Sequence, residues 1–199
     1  MGTYDFGAVR QKDMRSMLGI KGRVTVRVLG EDGRVRRYRA NLLQKIFGLP
    51  GKAMQSVHHN VVTRQGEAII VDAMDSYPDL VKPERDSGYM QIGSGWNGKN
   101  TKHQKRCNKP IAIKEFSTSP TVWYYLDDED DDGEEPNLVR YRATFKQGEL
   151  VANGINECCI LNGNDDEALS FAYAQITPAL NVAKNDMLDI VWEIQILGQ

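Results

Sequence analysis

The sequence predicts a mainly β protein: an antiparallel β-sandwich of jelly-roll-like build, with a helical insertion and an N-terminal arm. Three observations lead there. From Ile111 onward, short runs that alternate apolar and polar residues follow one another, as half-buried strands do. Turn residues (Gly148, Asn153-Gly154, Asn162-Gly163-Asn164-Asp165, Pro178) separate them at the spacing of a sandwich. The C-terminal run Leu188-Asp189-Ile190-Val191-Trp192-Glu193-Ile194-Gln195-Ile196 alternates too strictly for a tail, which predicts a strand inside the sheet.

Taken in chain order, residues 1–20 show no periodicity. Tyr4, Phe6, Val9, Met14, Met17 and Leu18 are apolar enough to dock but too scattered to form a core, which predicts an arm that orders against a partner. Tyr4, Phe6 and Arg10 are its candidate contacts. Residues 21–199 read as one domain. Arg23–Leu29 alternates, Gly30-Glu31-Asp32-Gly33 supplies a tight turn, and Val35 to Ala40 returns, a pattern that predicts a hairpin. Asn41 offers an N-cap to a short helical piece, Leu42 to Phe47, closed by Gly48 and Pro50. A longer helix is predicted over 61–75, with Ala68, Ile69, Val71, Ala73 and Met74 as its buried stripe and Pro78 as its stop. Together these form a helical insertion at about 41–76.

Tyr89 to Gly95 reads as a strand running into a glycine-rich bend, and 96–110 as a long polar, basic loop. Loops of that length usually contact something, so Trp96, Lys102 and Arg106 are candidate partner-binding residues. The remaining predicted strands are Ile111–Phe116, Thr121–Leu126, Leu138–Lys146, Ile155–Leu161, Ala168–Ile176 and Met187–Leu197. In the third of these, Val139, Tyr141, Ala143 and Phe145 share one face. In the last, Trp192 beside Ile190 or Ile194 should anchor the core.

With 41% apolar and 26% charged residues, the chain can bury a globular core. No apolar run approaches the roughly 20 residues of a membrane span. The start, Met1-Gly2-Thr3-Tyr4-Asp5, lacks the layout of a secretory signal, so synthesis in a cytoplasm is expected. The net charge of −2 hides an asymmetry: residues 1–64 hold 13 Lys/Arg against 4 Asp/Glu, and the rest of the chain is acidic. Such a division suggests complementarity between neighbouring subunits, or with an acidic partner. Nucleic acid is disfavoured as that partner, because Arg34, Arg36, Arg37 and Arg39 lie in a ribbon where alternate residues face solvent anyway.

Eight of the nine residues at 127–135 are acidic. Asp128, Asp130, Asp132 and Gly133 match the first half of a calcium loop, but its twelfth position, which needs a bidentate Glu, is Val139. The run reads as a solvated hairpin tip; looser divalent-ion binding through Asp128, Asp130 and Asp132, or docking onto a basic neighbour, are the alternatives. His103-x3-Cys107 has ligand-like spacing, yet two ligands make no zinc site, and a third would have to come from Cys158 or Cys159. Cys107, Cys158 and Cys159 cannot all pair within one chain; they read as buried thiols, with a disulfide between subunits as the alternative. Glu157 is expected to pair with a backbone turn, or with Arg140 or Arg142, in a structural role. No nucleophile elbow, zinc-protease helix, phosphate loop or dinucleotide fingerprint is present, so the chain reads as non-enzymatic and without a cofactor.

Two stretches resemble one family. Asn60-Val61-Val62-Thr63-Arg64-Gln65-Gly66 leads into an apolar segment ending at Met74, followed by Tyr89-Met90-Gln91-Ile92-Gly93-Ser94-Gly95. Later come Tyr141-Arg142-Ala143-Thr144-Phe145, then Ile155-Asn156-Glu157-Cys158-Cys159-Ile160-Leu161-Asn162, then Ala172 to Trp192. In this order, over roughly residues 22–197, the segments resemble structural proteins of tailed-phage particles. The resemblance implies a β-sandwich virion component made in the bacterial host and assembled as a homo-oligomer with portal or adaptor, capsid or tail proteins. A neck or collar protein at the head–tail junction is the favoured role. A capsid decoration protein and a tail-tip or fibre-anchoring protein are alternatives. From another class, a carbohydrate-binding sandwich would use Trp96, Trp123, Tyr124 and Tyr125. The sequence departs from the family pattern at Cys158-Cys159, where small residues are usual, and in the acidic 127–135 run.

Overall fold

The strictly alternating C-terminal run forms the central strand of a five-stranded antiparallel sheet in the computed structural model, which describes residues 19–75, 77–84, 86–98, 101–119, 121–124 and 136–197. Among the described residues nine strands follow one another: β1 (Gly19–Leu29), β2 (Gln55–Val62), β3 (Tyr89–Gly93), β4 (Pro110–Glu115), β5 (Thr121–Tyr124), β6 (Pro136–Phe145), β7 (Ala152–Leu161), β8 (Ser170–Val182) and β9 (Met187–Leu197). Two α-helices among these residues, α1 (Leu42–Ile46) and α2 (Arg64–Asp72), flank β2 in sequence. One sheet has the order β2-β1-β9-β6-β5 and the other β4-β3-β7-β8. They join where Val61 and Val62 of β2 pair with Tyr173 and Ala172 of β8. The protein is thus mainly β, an antiparallel sandwich, as the sequence predicts.

The core follows from alternation. Val24, Val26 and Val28 of β1 and Tyr141, Ala143 and Phe145 of β6 are buried. Between them, β9 contributes Leu188, Ile190, Trp192 and Ile194. These residues share one core with Met90, Ile92, Cys158, Ile160 and Ala172 of the opposite sheet. The Tyr141 ring lies 6.1 Å from that of Phe171 on β8 and 5.3 Å from that of Phe116, which closes the sandwich with an aromatic cluster.

The other face of β9 carries acids that both neighbouring strands answer with arginines. Asp189 is fully buried and accepts from Arg27 (2.6 Å), Arg142 (2.8 Å) and Thr144 (3.0 Å). Glu193 accepts from Arg23 and Arg140. Burial raises the Asp189 pKa, but the Arg142 and Arg27 guanidiniums outweigh it and hold the carboxyl below the usual range. Part of the basic charge of the N-terminal third is therefore neutralised within the chain.

Several expectations are corrected. Val35 to Ala40 does not pair along the length of the 23–29 strand as a hairpin partner: both edges of β1 are occupied, by β2 and β9, so this Arg-rich segment makes only isolated bridges, Leu29 to Val35 and Arg37 to Ala53. The first strand starts at Gly19, inside the predicted arm, whose first 18 residues lie outside the described part. The insertion at 41–76 is not helical throughout, because β2 runs through it. Val61 and Val62 belong to that strand, as β-branched residues favour, and the helix begins only after Thr63 caps Gly66 N–H at 3.0 Å. Its buried face holds Gly66 and Ile69, whereas Ala68, Val71, Ala73 and Met74 are exposed. Asn153-Gly154 and Pro178 fall within β7 and β8 rather than between strands. The acidic run 127–135 lies outside the described residues.

Asp189→Ala should lower unfolding stability by about 2–3 kcal/mol, since it leaves two half-exposed guanidiniums facing a buried methyl group. Urea denaturation of the variant checks this, and a loss below about 0.5 kcal/mol would make the cluster a surface ion pair in energetic terms.

Candidate functional site

The long loop between β3 and β4 folds back over the outer face of its own sheet, and one carboxylate holds it there. Glu157 on β7 is fully buried. Its oxygens accept from the backbone N–H groups of Gly95 (2.7 Å), Asn108 (3.0 Å) and Lys109 (3.0 Å), from the Asn108 side chain, and from the Tyr173 hydroxyl. The approach is close enough that a Cβ at Gly93 would sit 2.5 Å from Glu157 Oε1, so the glycine-rich bend is needed for the loop to close. Burial alone raises the Glu157 pKa; the hydrogen bonds from Lys109, Tyr173, Asn108 and Gly95 together outweigh it and lower the pKa. The reading of Glu157 as the partner of a backbone turn holds, whereas Arg140 pairs with Glu193 and Arg142 with Asp189.

Beneath this loop lies a second, smaller core of Cys107, Cys159, Leu161, Ala168 and Tyr173. Adjacent residues on a strand face opposite ways, so Cys158 joins the main core while Cys159 joins this one. The fold brings Cys107 Sγ to 3.8 Å from Cys159 Sγ, a juxtaposition that nothing in the sequence spacing signals. All three thiols are free of disulfide bonds and buried within the chain. Burial pushes the Cys107 and Cys158 thiols well above their usual pKa. Among the described residues no three His, Cys, Asp or Glu side chains converge to hold a metal ion; Asp128, Asp130 and Asp132 lie outside those residues.

The loop's candidate binding residues make contacts within the chain. Trp96 packs against Tyr173 with ring centroids 6.0 Å apart, Lys102 bonds Glu67 of α2 at 2.5 Å, and Arg106 lies 3.6 Å from Asp166. They secure the loop. Tyr4, Phe6, Arg10 and Tyr125 lie outside the described residues, and the structure gives no side-chain placement for Trp123 and Tyr124.

The surface feature that stands apart is α1 and its exit. Leu42, Leu43, Ile46, Phe47 and Leu49 are all more than half exposed, and no residue of the helix is buried. Leu43, Ile46 and Phe47 stand at i, i+3 and i+4, so they form one apolar face. This short helix is nevertheless tightly specified. Asn41 Oδ1 accepts from Gln44 N–H while Gln44 Oε1 accepts from Asn41 N–H, a complete capping box. At the other end Gly48, at φ +64°, closes a Schellman turn, with Leu49 N–H bonded to Gln44 C=O at 2.7 Å and Gly48 N–H to Lys45 C=O at 3.2 Å. Arg37 then ties its guanidinium to Gly51 C=O at 3.0 Å. The helix and its N-cap are legible in the sequence, whereas its apolar exposure is not. The nearest signal is a Leu-Leu-Gln-Lys-Ile-Phe run too short and too evenly apolar to face both a core and water.

No family model, no curated protein and no solved structure matches the chain. Among the described residues no helix is long and apolar enough to cross a membrane.

Three outcomes are expected. Glu157→Gln keeps the shape but weakens the charge-assisted bonds, so hydrogen exchange at Gly95, Asn108 and Lys109 should quicken about tenfold or more. Because the Glu157 pKa is lowered on folding, its contribution is present above the unfolded value, near pH 4.3, and is lost as pH falls through the folded value; an acid titration should show the stabilities of wild type and variant converging as pH falls below the unfolded value. In the native protein a thiol reagent such as Ellman's should label none of the three cysteines within minutes and all three after unfolding.

Proposed function

We propose that the chain is a non-enzymatic structural component of a tailed-phage particle, a neck or collar protein at the head–tail junction that acts by assembling with other virion proteins. The observation that carries this reading is α1 and its exit: a helix capped at both ends with no buried residue which, together with Phe47 and Leu49, offers five large apolar side chains to solvent. Soluble monomers rarely keep such a contiguous apolar surface, and where one is held rigid it serves docking. The ordered series of segments that resembles phage structural proteins supports the same reading, as does the sandwich fold. Glu157 supports it too, because its oxygens are taken up by donors of its own loop and by Tyr173 and are not offered to a substrate. The partners in this reading are portal or adaptor, capsid or tail proteins, together with further copies of the chain, and its location is the virion. Placement as a decoration or tail-tip protein would use the same apolar surface against different neighbours.

Mass spectrometry of particles purified from the encoding phage should find the chain at a fixed ratio to the portal protein. Deleting its gene should leave filled heads without tails. Complete, infectious particles that lack the chain would overturn the assignment, and particles that keep their tails but lose outer-shell or fibre proteins would move it to decoration or tail tip.

A further inference from the structure

Two exposed apolar patches of opposite charge leave β2 from its two ends. At the N-terminal end lies α1 with Leu43, Ile46 and Phe47, in a stretch from Gly33 to Lys52 that holds six Lys/Arg and no Asp/Glu; Arg36 pairs with Asp186 and Arg34 with Asp32, so Arg37, Arg39, Lys45 and Lys52 carry the basic charge of this patch. At the C-terminal end α2 runs out into Val71, Met74, Tyr77 and Val81, which are 67%, 73%, 87% and 55% exposed. Between residues 71 and 86 five acids, Asp72, Asp75, Asp79, Glu84 and Asp86, stand against Lys82 and Arg85. The second patch is also held in place. Asp72 accepts from the backbone N–H groups of Asp79 and Leu80, and Asn162 Nδ2 bonds Val81 C=O at 2.8 Å.

We infer that the basic apolar face of α1 on one copy docks on the acidic apolar surface at 71–81 of the next copy, so that the chain associates head to tail with itself. The two patches are complementary. Each patch pairs exposed large apolar residues with charge of a single predominant sign, and the signs are opposite. Both are exposed, so they do not meet within one chain. They depart from opposite ends of an eight-residue strand, roughly 25 Å long. Contact between unlike surfaces of identical subunits is heterologous and propagates into a ring or a filament. A symmetric pairing of α1 with α1 would instead bring Arg39, Lys45 and Lys52 of two copies together at a cost in repulsion. This inference deepens the assembly reading by naming its first partner, yet it is tested separately: self-association without entry into particles would leave it standing and overturn the virion assignment.

The test uses the full chain and four exposed side chains. Wild-type protein, Arg39→Glu/Lys45→Glu, Asp75→Lys/Asp79→Lys and an equimolar mixture of the two variants are compared by size-exclusion chromatography with light scattering. Circular dichroism verifies that each is folded. Wild type should rise above monomer mass with concentration and fall back in high salt. Each variant alone should weaken association on the order of tenfold or more, and the mixture should restore it, because every junction then pairs opposite charges again. A wild type that stays monomeric at about 100 μM, where contacts of even modest affinity form, overturns the inference. So does an oligomer indifferent to both charge reversals, or one that only the α1 variant disrupts, which would indicate symmetric pairing. A monomer that instead sediments with anionic vesicles would assign α1 to a lipid surface.

Discussion

Strand β2 has to satisfy two sheets at once, and much of the molecule is arranged around that demand. Gln55 to Asn60 pair with β1, and Val61 and Val62 with β8. Where the earlier part of β2 and the later part of β8 form no backbone ladder, side chains complete the bonding: the Ser56 hydroxyl accepts from Thr177 N–H at 3.0 Å and donates to Thr177 C=O at 3.1 Å. Buried backbone groups must find partners, and this substitution lets one strand serve as the hinge of a sandwich without leaving them unpaired. It also fixes where the chain can go next. At one end of β2 the preceding segment is held by Arg37 and the bridge to Ala53; at the other, Thr63 caps α2 and bonds the carbonyl of Ser170. The two apolar patches are therefore set by the strand that unites the sheets.

Glu157 imposes a comparable constraint on the other sheet. Burying an ionised carboxylate is costly unless it is saturated with donors, and here the loop between β3 and β4 supplies them from its own backbone. The loop is thereby turned from a surface excursion into the lid of a small core, with Trp96 on Tyr173 and the Cys107 and Cys159 sulfurs beneath it. Removing that carboxylate would leave three backbone N–H groups with no acceptor, which is why its role is architectural despite the thiols and the tyrosine beside it.

Legibility in the sequence follows the same physics. Period-two alternation identified β6 and β9 because each has a face in the main core, and Tyr141, Phe145 and Trp192 lie where alternation predicts. What failed was pairing. A glycine turn after Leu29 implies a hairpin only if the edge of β1 is vacant, and the competing edges of β2 and β9 are more than a hundred residues apart in sequence. Helix 61–75 failed at its start because apolar Val61 and Val62 fit either period, and only the unseen partner β8 decides between them. The long loop at 96–110 is held by contacts within its own chain, to Tyr173, Glu67 and Asp166, which no local pattern announces. The capped helix at 42–46 was visible, while its lack of any buried face was not, because burial is a tertiary property.

That lack gives α1 its meaning. A five-residue helix is far below the length at which isolated helices persist, so its order comes from the two caps and the anchoring of 37–53 rather than from a core. Each cap contributes on the order of 1 kcal/mol, and in an ordinary surface loop such investment would stabilise nothing else. Placing Leu43, Ile46 and Phe47 on a capped backbone buries none of them in their own chain; in the proposed assembly it would lower the ordering entropy of docking, by about 0.5–1.5 kcal/mol for each side chain already in place. In the proposed assembly the basic side chains of the same stretch would keep this apolar surface soluble until a surface of opposite charge displaced the water.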